Sequence, residues 1–101
     1  MNEISFEWDE NKKLINQKKH GISFEEATGV FYDPQAIVFD DPDHSFGEER
    51  FIIIGISAVN KVCTVSHCYR GENDIIRIIS ARQATKKEIT VYINNLDGVW
   101  T

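Results

Sequence analysis

The chain has 101 residues, with 16 acidic and 11 basic side chains and a formal net charge of −5 at pH 7. This length predicts one domain, residues 1–101, with a core that needs no disulfide. Cys63 and Cys68 lie on one predicted strand with opposite parity, so they cannot pair, as is usual in a reducing cytoplasm. The chain has no leader pattern and no apolar run near the roughly 18 residues of a membrane span, so we expect a cytoplasmic protein.

The charges are unevenly distributed along the chain. Residues 25–49 contain eight acidic and no basic residues, whereas residues 50–87 contain seven basic and two acidic ones. An acidic chain is by itself an unusual nucleic-acid binder. Segregated charge can nevertheless form a basic face for phosphates and an acidic face for a basic partner. The ordinary alternative is a mixed, solvated surface.

Capping and turn residues divide the chain into helices and strands. Asp9 can cap a lysine-rich helix that ends at Gly21. Residues 23–26 and 85–88 both match the Ser/Thr-x-x-Glu capping box, which predicts two further helix starts. Segments rich in Ile, Val, Phe and Tyr, separated by Gly, Asn and Asp, predict strands. In chain order we predict a strand at 4–8, helices at 10–21 and 23–31, strands at 36–40, 50–57, 62–69 and 75–81, and a helix from 85 toward 96.

This order predicts the α+β class: two N-terminal helices, an antiparallel meander of about four strands and a C-terminal helix packed on the sheet. In the expected register Tyr69 lies opposite Ile75 and His67 opposite Arg77, with Arg50 diagonally near His67. One end of a sheet face would then be basic and aromatic. A slip of one residue would move all of these side chains to the other face.

A basic, aromatic end of a sheet suits RNA. Arginines can stabilise a phosphate in its transition state, a histidine can transfer protons, and an aromatic ring can stack on a base. Arg70 and Arg82, at the ends of their strands, are further candidates. The alternative for Arg77 and Arg82 is a surface ion pair with Glu49, Glu72 or Asp74.

Three segments in order resemble the BrnT family of bacterial toxins over about residues 6–88: Lys19-His20-Gly21, the acidic segment 40–51 and Ser80-Ala81-Arg82-Gln83-Ala84-Thr85. The resemblance implies a RelE-like fold, endoribonuclease activity and a cognate antitoxin with a ribbon-helix-helix region that would make most of the operator DNA contacts. It also leaves open a catalytic or RNA-contacting role for Lys19 or His20. Their ordinary role would be to end a helix favourably.

We therefore predict a metal-independent ribonuclease toxin that cleaves RNA through attack of the ribose 2′-hydroxyl. No metal or cofactor is expected, because the acidic segment matches no metal-binding spacing. The alternative is an inert binding module that acts as a co-repressor with its antitoxin. The candidate catalytic residues are His67, Arg77, Arg82, His20 and Arg70, and the candidate RNA-binding residues are Lys19, Arg50 and Tyr69.

Overall fold

The computed structural model describes residues 4–99, with side chains described to residue 96. Its class is α+β, as predicted. The elements in chain order are β1 (Ser5–Glu7), α1 (Glu10–His20), α2 (Phe24–Ala27), a 3₁₀ segment (Thr28–Tyr32), β2 (Ile37–Asp40), a 3₁₀ turn (Pro42–His44), β3 (Phe51–Ile56), β4 (Val62–Arg70), β5 (Ile75–Gln83) and α3 (Lys86–Val99).

Local hydrogen bonds explain where the helices begin and end. Asp9 accepts a hydrogen bond from the Lys12 N–H at 3.0 Å, and Gly21 ends α1 in the left-handed conformation with φ 72°. The second predicted helix is shorter than expected, because α2 gives way after Ala27 to the tighter 3₁₀ segment. The predicted helix starts are therefore confirmed, while the second helix changes its hydrogen-bonding pattern midway.

The sheet has five strands in the order β1-β5-β4-β3-β2. The predicted meander is confirmed for β2 to β5, which pair antiparallel with their neighbours. The sheet has one strand more than the predicted meander of about four, because the separately predicted strand at 4–8 joins it as β1 and pairs parallel with β5. This parallel pairing joins two segments that are far apart in the chain, so no turn between them indicates it in the sequence.

The predicted register between β4 and β5 is wrong by one residue. Arg70 remains in the strand opposite Ile75, and the turn shortens to residues 71–74. Arg77 therefore lies opposite Cys68, and His67 opposite Ile78. Because alternate residues point to opposite faces, His67 and Arg77 are on different faces of the sheet.

A β-bulge then changes the parity of β5. His67 pairs with Ile78 whereas Ser66 pairs with Ser80, so Ile79 is an extra residue on β5. Beyond the bulge, Arg82 points to the same face as Arg77, although simple alternation would separate them. Two faces result: the arginine face, which carries Arg70, Arg77 and Arg82, and the packed face opposite.

The hydrophobic core lies between the packed face and the N-terminal helices. Phe24 and Val30 are fully buried there against strand residues such as Val65 and Ile78. Burying side chains of this size stabilises the fold by about 1.5 to 3 kcal/mol each. The core thus buries the packed face, and the arginine face remains available for other contacts.

The helix α3 lies over the β2–β3 part of the arginine face. Its Tyr92 hydroxyl donates to Asp33 Oδ2 at 2.6 Å, and the same oxygen accepts from the Ile56 N–H at 2.8 Å. Burial raises the pKa of Asp33, but the hydrogen bonds it accepts outweigh burial and leave the pKa below its usual value. The β4, β5 and β1 part of this face stays open. Within residues 4–99 no helix is long and apolar enough to cross a membrane.

Candidate functional site

The open part of the arginine face brings together three guanidinium groups from two neighbouring strands. Arg70 ends β4, Arg77 lies near the start of β5, and Arg82 lies beyond the bulge. Between them, Ser66 and Ser80 face each other across the two strands and are half-buried. The face therefore carries hydroxyls between positive groups, and both are donors suited to phosphate oxygens.

Each of these arginines is paired with a carboxylate. The pair distances are 3.2 Å for Arg70 Nη2–Glu48 Oε2, 2.6 Å for Arg77 Nη1–Glu7 Oε2 and 2.7 Å for Arg82 Nη1–Glu88 Oε1. The alternative considered for Arg77 and Arg82, a surface ion pair, does occur, but with Glu7 and Glu88 rather than with Glu49, Glu72 or Asp74. The true partners come from β1 and from the start of α3, which only the tertiary structure brings near.

The Arg82 pair is the most constrained of the three. Its Nη1 and Nη2 both donate to Glu88, which also accepts from the Thr64 hydroxyl at 3.0 Å and the Thr85 N–H at 2.8 Å. The Arg82 guanidinium and these other donors hold the pKa of Glu88 down at about 2. Glu88 thus accepts the capping-box hydrogen bond from the Thr85 N–H and also holds the Arg82 guanidinium on the sheet. Glu88 accepts from two of the five N–H groups of the guanidinium, and the other three do not donate to it.

The edge of β5 beyond β1 is closed by α1. The side chain of Asn16, almost fully buried, accepts from the Ala81 N–H at 3.1 Å and donates to the Ala81 carbonyl at 2.8 Å, so it replaces a neighbouring strand. This contact sets Lys19 and His20 beside Ser80, where they line one cleft of about 220 Å³. The Lys-His-Gly segment and the segment that begins at Ser80 therefore meet. Sequence reasoning missed Asn16, a polar residue on a helix face that turns inward.

His67 lies away from this face. Its side chain is 0% exposed and its ring packs against Phe31, Phe51 and Tyr69 at centroid distances of 4.9 to 6.0 Å. Burial lowers its pKa, and Nε2 makes no hydrogen bond within the described part of the chain. A buried neutral ring has no route to a substrate on the arginine face.

The remaining RNA-binding candidates lie at the β3–β4 end of the sheet. Tyr69 shares the packed-face parity of His67 but is 37% exposed, because the strand ends beyond the core. Arg50 lies just before β3, and Phe51, not Arg50, stands opposite His67. Arg50 therefore has the opposite parity to His67, and the predicted diagonal contact on one face is wrong. The Arg50 N–H donates to the Ser45 hydroxyl at 3.0 Å and steadies the acidic segment.

The acidic segment and the cysteines offer little chemistry of their own. Among residues 4–99 no group of three or more His, Cys, Asp or Glu side chains is arranged to hold a metal ion. His44 Nδ1 lies 3.0 Å from Asp41 Oδ1 within the segment. Burial raises the pKa of both Cys63 and Cys68, so their thiols remain protonated near neutral pH.

The fold and this open face define a small α+β protein with the donors that phosphate esters require. A family model described as the ribonuclease toxin BrnT of a type II toxin-antitoxin system matches residues 8–88. The fold is similar to the crystal structure of the Brucella abortus ribonuclease toxin BrnT, with a TM-score of 0.64 and 24% identity over 83% of this chain and 100% of that chain. A search of curated proteins found no match. The chain belongs to the BrnT family of ribonuclease toxins.

Proposed function

We propose that this protein is an endoribonuclease toxin that cleaves RNA without a metal ion and is neutralised by a cognate antitoxin. Membership of the BrnT family supports the class of activity. The observation that carries the finer proposal is the arginine face, where the bulge in β5 puts Arg82 on the same side of the sheet as Arg70 and Arg77. Metal-free cleavage of RNA needs such fixed positive donors, because charge accumulates on the phosphate in the transition state.

The reaction needs no nucleophile from the protein. The ribose 2′-oxygen bonds to phosphorus, a base takes its proton, and the P–O5′ bond breaks as the leaving oxygen gains a proton. The products are a 2′,3′-cyclic phosphate and a 5′-hydroxyl end. Arg70 and Arg77 would stabilise the reacting phosphate, because their ion pairs are exposed enough for an incoming phosphate to replace. Arg82 lies opposite Thr64, four β4 positions or about 13 Å from the partner of Arg77, and would contact a neighbouring phosphate of the strand.

Proton transfer and RNA positioning fall to the edge of β5. His20 and Lys19 line the cleft beside Ser80, which shares the arginine face with Arg77. An RNA strand crossing this edge would pass from the arginines to Lys19 and His20. We assign proton transfer to His20 and backbone contact to Lys19, and we leave His67 out because it is fully buried. Arg50 and Tyr69 would contact RNA at the other end.

The partner follows from the family rather than from a surface of this chain. A toxin of a type II system implies an antitoxin. We propose that this antitoxin carries a ribbon-helix-helix region and provides most of the contacts to operator DNA. The RNA substrate and this partner would both be met in the cytoplasm.

The test is induced expression followed by analysis of RNA ends. Expression alone should arrest bacterial growth, and co-expression of the neighbouring open reading frame should restore it. Purified protein should cleave RNA in excess EDTA and leave 2′,3′-cyclic phosphate ends. Loss of cleavage on chelation, with recovery in Mg²⁺, would exclude the metal-free proposal, and 3′-hydroxyl ends would exclude 2′-hydroxyl attack.

A second candidate is an inert module that represses transcription together with its antitoxin. The pairing of all three arginines with carboxylates favours it, because ion-paired guanidinium groups bind phosphate less readily. In that case expression alone would leave growth unchanged, while the protein would still increase the affinity of the antitoxin for its operator. A DNA-binding titration of the antitoxin with and without this protein separates the two functions.

A further inference from the structure

A second cleft lies at the end of the sheet where β3 begins and β4 ends. It encloses about 490 Å³ and is lined by Glu48, Glu49, Phe51, Tyr69 and Asn73. Clefts of roughly 300 to 1,000 Å³ suit small organic groups. Two aromatic rings, two carboxylates and one amide form a lining quite unlike that of the arginine face. The RNA-cleaving reaction itself gives this cleft no role.

The aromatic wall is held in place and open to a ligand. The rings of Phe51 and Tyr69 lie 5.3 Å apart in an edge-to-face arrangement, and Tyr69 is 37% exposed. The fully buried ring of His67 packs behind both, at centroid distances of 6.0 Å and 5.4 Å. A fixed, partly exposed aromatic ring is the usual platform for an unstacked RNA base.

The two carboxylates of the cleft differ in whether they already have hydrogen-bond partners. Glu48 is occupied: it accepts from the Cys68 thiol at 3.6 Å and pairs with Arg70. Glu49 is exposed and forms no hydrogen bond or ion pair with another residue of the described range 4–99. An ionised carboxylate can only accept hydrogen bonds, whereas the amide of Asn73 can also donate. The lining of the cleft therefore includes a carboxylate with two acceptor oxygens and an amide that can donate.

Guanine fits this pattern better than any other RNA base. Its Watson–Crick edge presents two adjacent donors, N1–H and the N2 amino group, beside one acceptor, O6. Adenine and cytosine present one amino group beside an acceptor nitrogen, and uracil presents a single N–H between two carbonyls. Carboxylates and amides read base edges by such matched pairs.

We propose that this cleft is a guanine-binding subsite, in which Glu49 accepts from N1–H and N2–H, Asn73 donates to O6 and the base stacks on Tyr69. This inference rests on the proposed ribonuclease function. Tyr69 and Arg70 are consecutive residues of β4, with Cα atoms about 3.8 Å apart and opposite facing. An RNA strand that passes around this end of β4 would therefore place a base on the ring on one side and a phosphate near the guanidinium on the other.

The first experiment maps cleavage sites on a pool of RNAs that contains every dinucleotide equally. The protein should cleave preferentially beside guanine. Glu49→Gln should reduce that preference about 10-fold to 100-fold, the range of a matched pair of hydrogen bonds to a base, without abolishing cleavage. Glu72→Gln is the matched control: Glu72 is exposed in the β4–β5 turn, does not line the cleft, and should leave the preference unchanged.

A binding measurement separates this inference from the proposed function. Titration with guanosine 3′-monophosphate and cytidine 3′-monophosphate requires no cleavage, and the guanine nucleotide should bind at least about 10-fold more tightly, a difference that Glu49→Gln removes. A protein that binds the guanine nucleotide selectively but cuts no RNA supports the subsite and refutes the nuclease. Cleavage without base preference, or a preference that survives in Glu49→Gln, overturns the subsite and leaves the nuclease standing.

Discussion

Replacement of Arg77 by alanine tests the arginine face most directly. The Arg77–Glu7 pair has a 2.6 Å contact, but its side chains are 30% and 38% exposed. Such pairs contribute about 0 to 1 kcal/mol to the free energy of unfolding. Removing one preorganised donor from a transition state, in contrast, slows a reaction by about 10² to 10³, or roughly 3 to 4 kcal/mol. Arg77→Ala should therefore remain folded and lose almost all of its RNA cleavage.

The matched control is Glu7→Gln, which breaks the same ion pair but keeps the guanidinium. Both variants should have nearly the same urea midpoint, because each loses the same weak contact. Cleavage measured at equal folded fraction should stay at the wild-type level or rise in Glu7→Gln, since the carboxylate no longer competes with phosphate for Arg77.

Two outcomes would refute this reasoning. Full cleavage by a folded Arg77→Ala protein would mean that the arginine does not contact the reacting phosphate. Equal loss of cleavage in Arg77→Ala and Glu7→Gln would mean that the pair acts by holding β1 against β5, which is a structural role.

Three further predictions concern residues that support the site. Arg82→Ala should lower the free energy of unfolding by about 1 to 3 kcal/mol in urea titrations, because it leaves the half-buried Glu88 carboxylate without its arginine partner. The stabilisation from Glu88, whose pKa is about 2, should be present above pH 4.5 and fade as the pH falls toward 2. An unchanged dependence of stability on acid pH in Arg82→Ala would contradict this. Burial lowers the pKa of His67 below 6.5, so protonation of this ring destabilises the folded state as the pH falls below that value. The melting temperature of His67→Phe should therefore fall less than that of the wild type as the pH is lowered from 6.5. Parallel wild-type and variant curves would assign the acid sensitivity elsewhere. Asn16→Asp keeps the acceptor for the Ala81 N–H but loses the donor to the Ala81 carbonyl. We expect its free energy of unfolding in urea to be lower by about 1 to 3 kcal/mol. Wild-type stability would show that this edge of β5 needs no closure by Asn16.

The family, the class of fold and the position of nearly every element could be predicted from the amino-acid sequence. Caps act within a few residues of the chain, so Asp9, Gly21 and Ser23 locate the helix ends without help from the rest of the molecule. Strand positions follow from runs of β-branched and aromatic residues. The arginines, Lys19 and His20 could be chosen as candidates because their chemistry suits phosphate and the segments around them resemble one family.

Which candidate residues share a face of the sheet could not be predicted without the three-dimensional structure. Side chains alternate with a period of two, so one residue added to β4 separated His67 from Arg77, and the bulge at Ile79 brought Arg82 to the side of Arg77. The carboxylate partners of the arginines and the closure of the β5 edge by Asn16 depend on segments far apart in the chain. Such contacts depend on how the whole core packs, so they cannot be predicted from the local sequence around each residue.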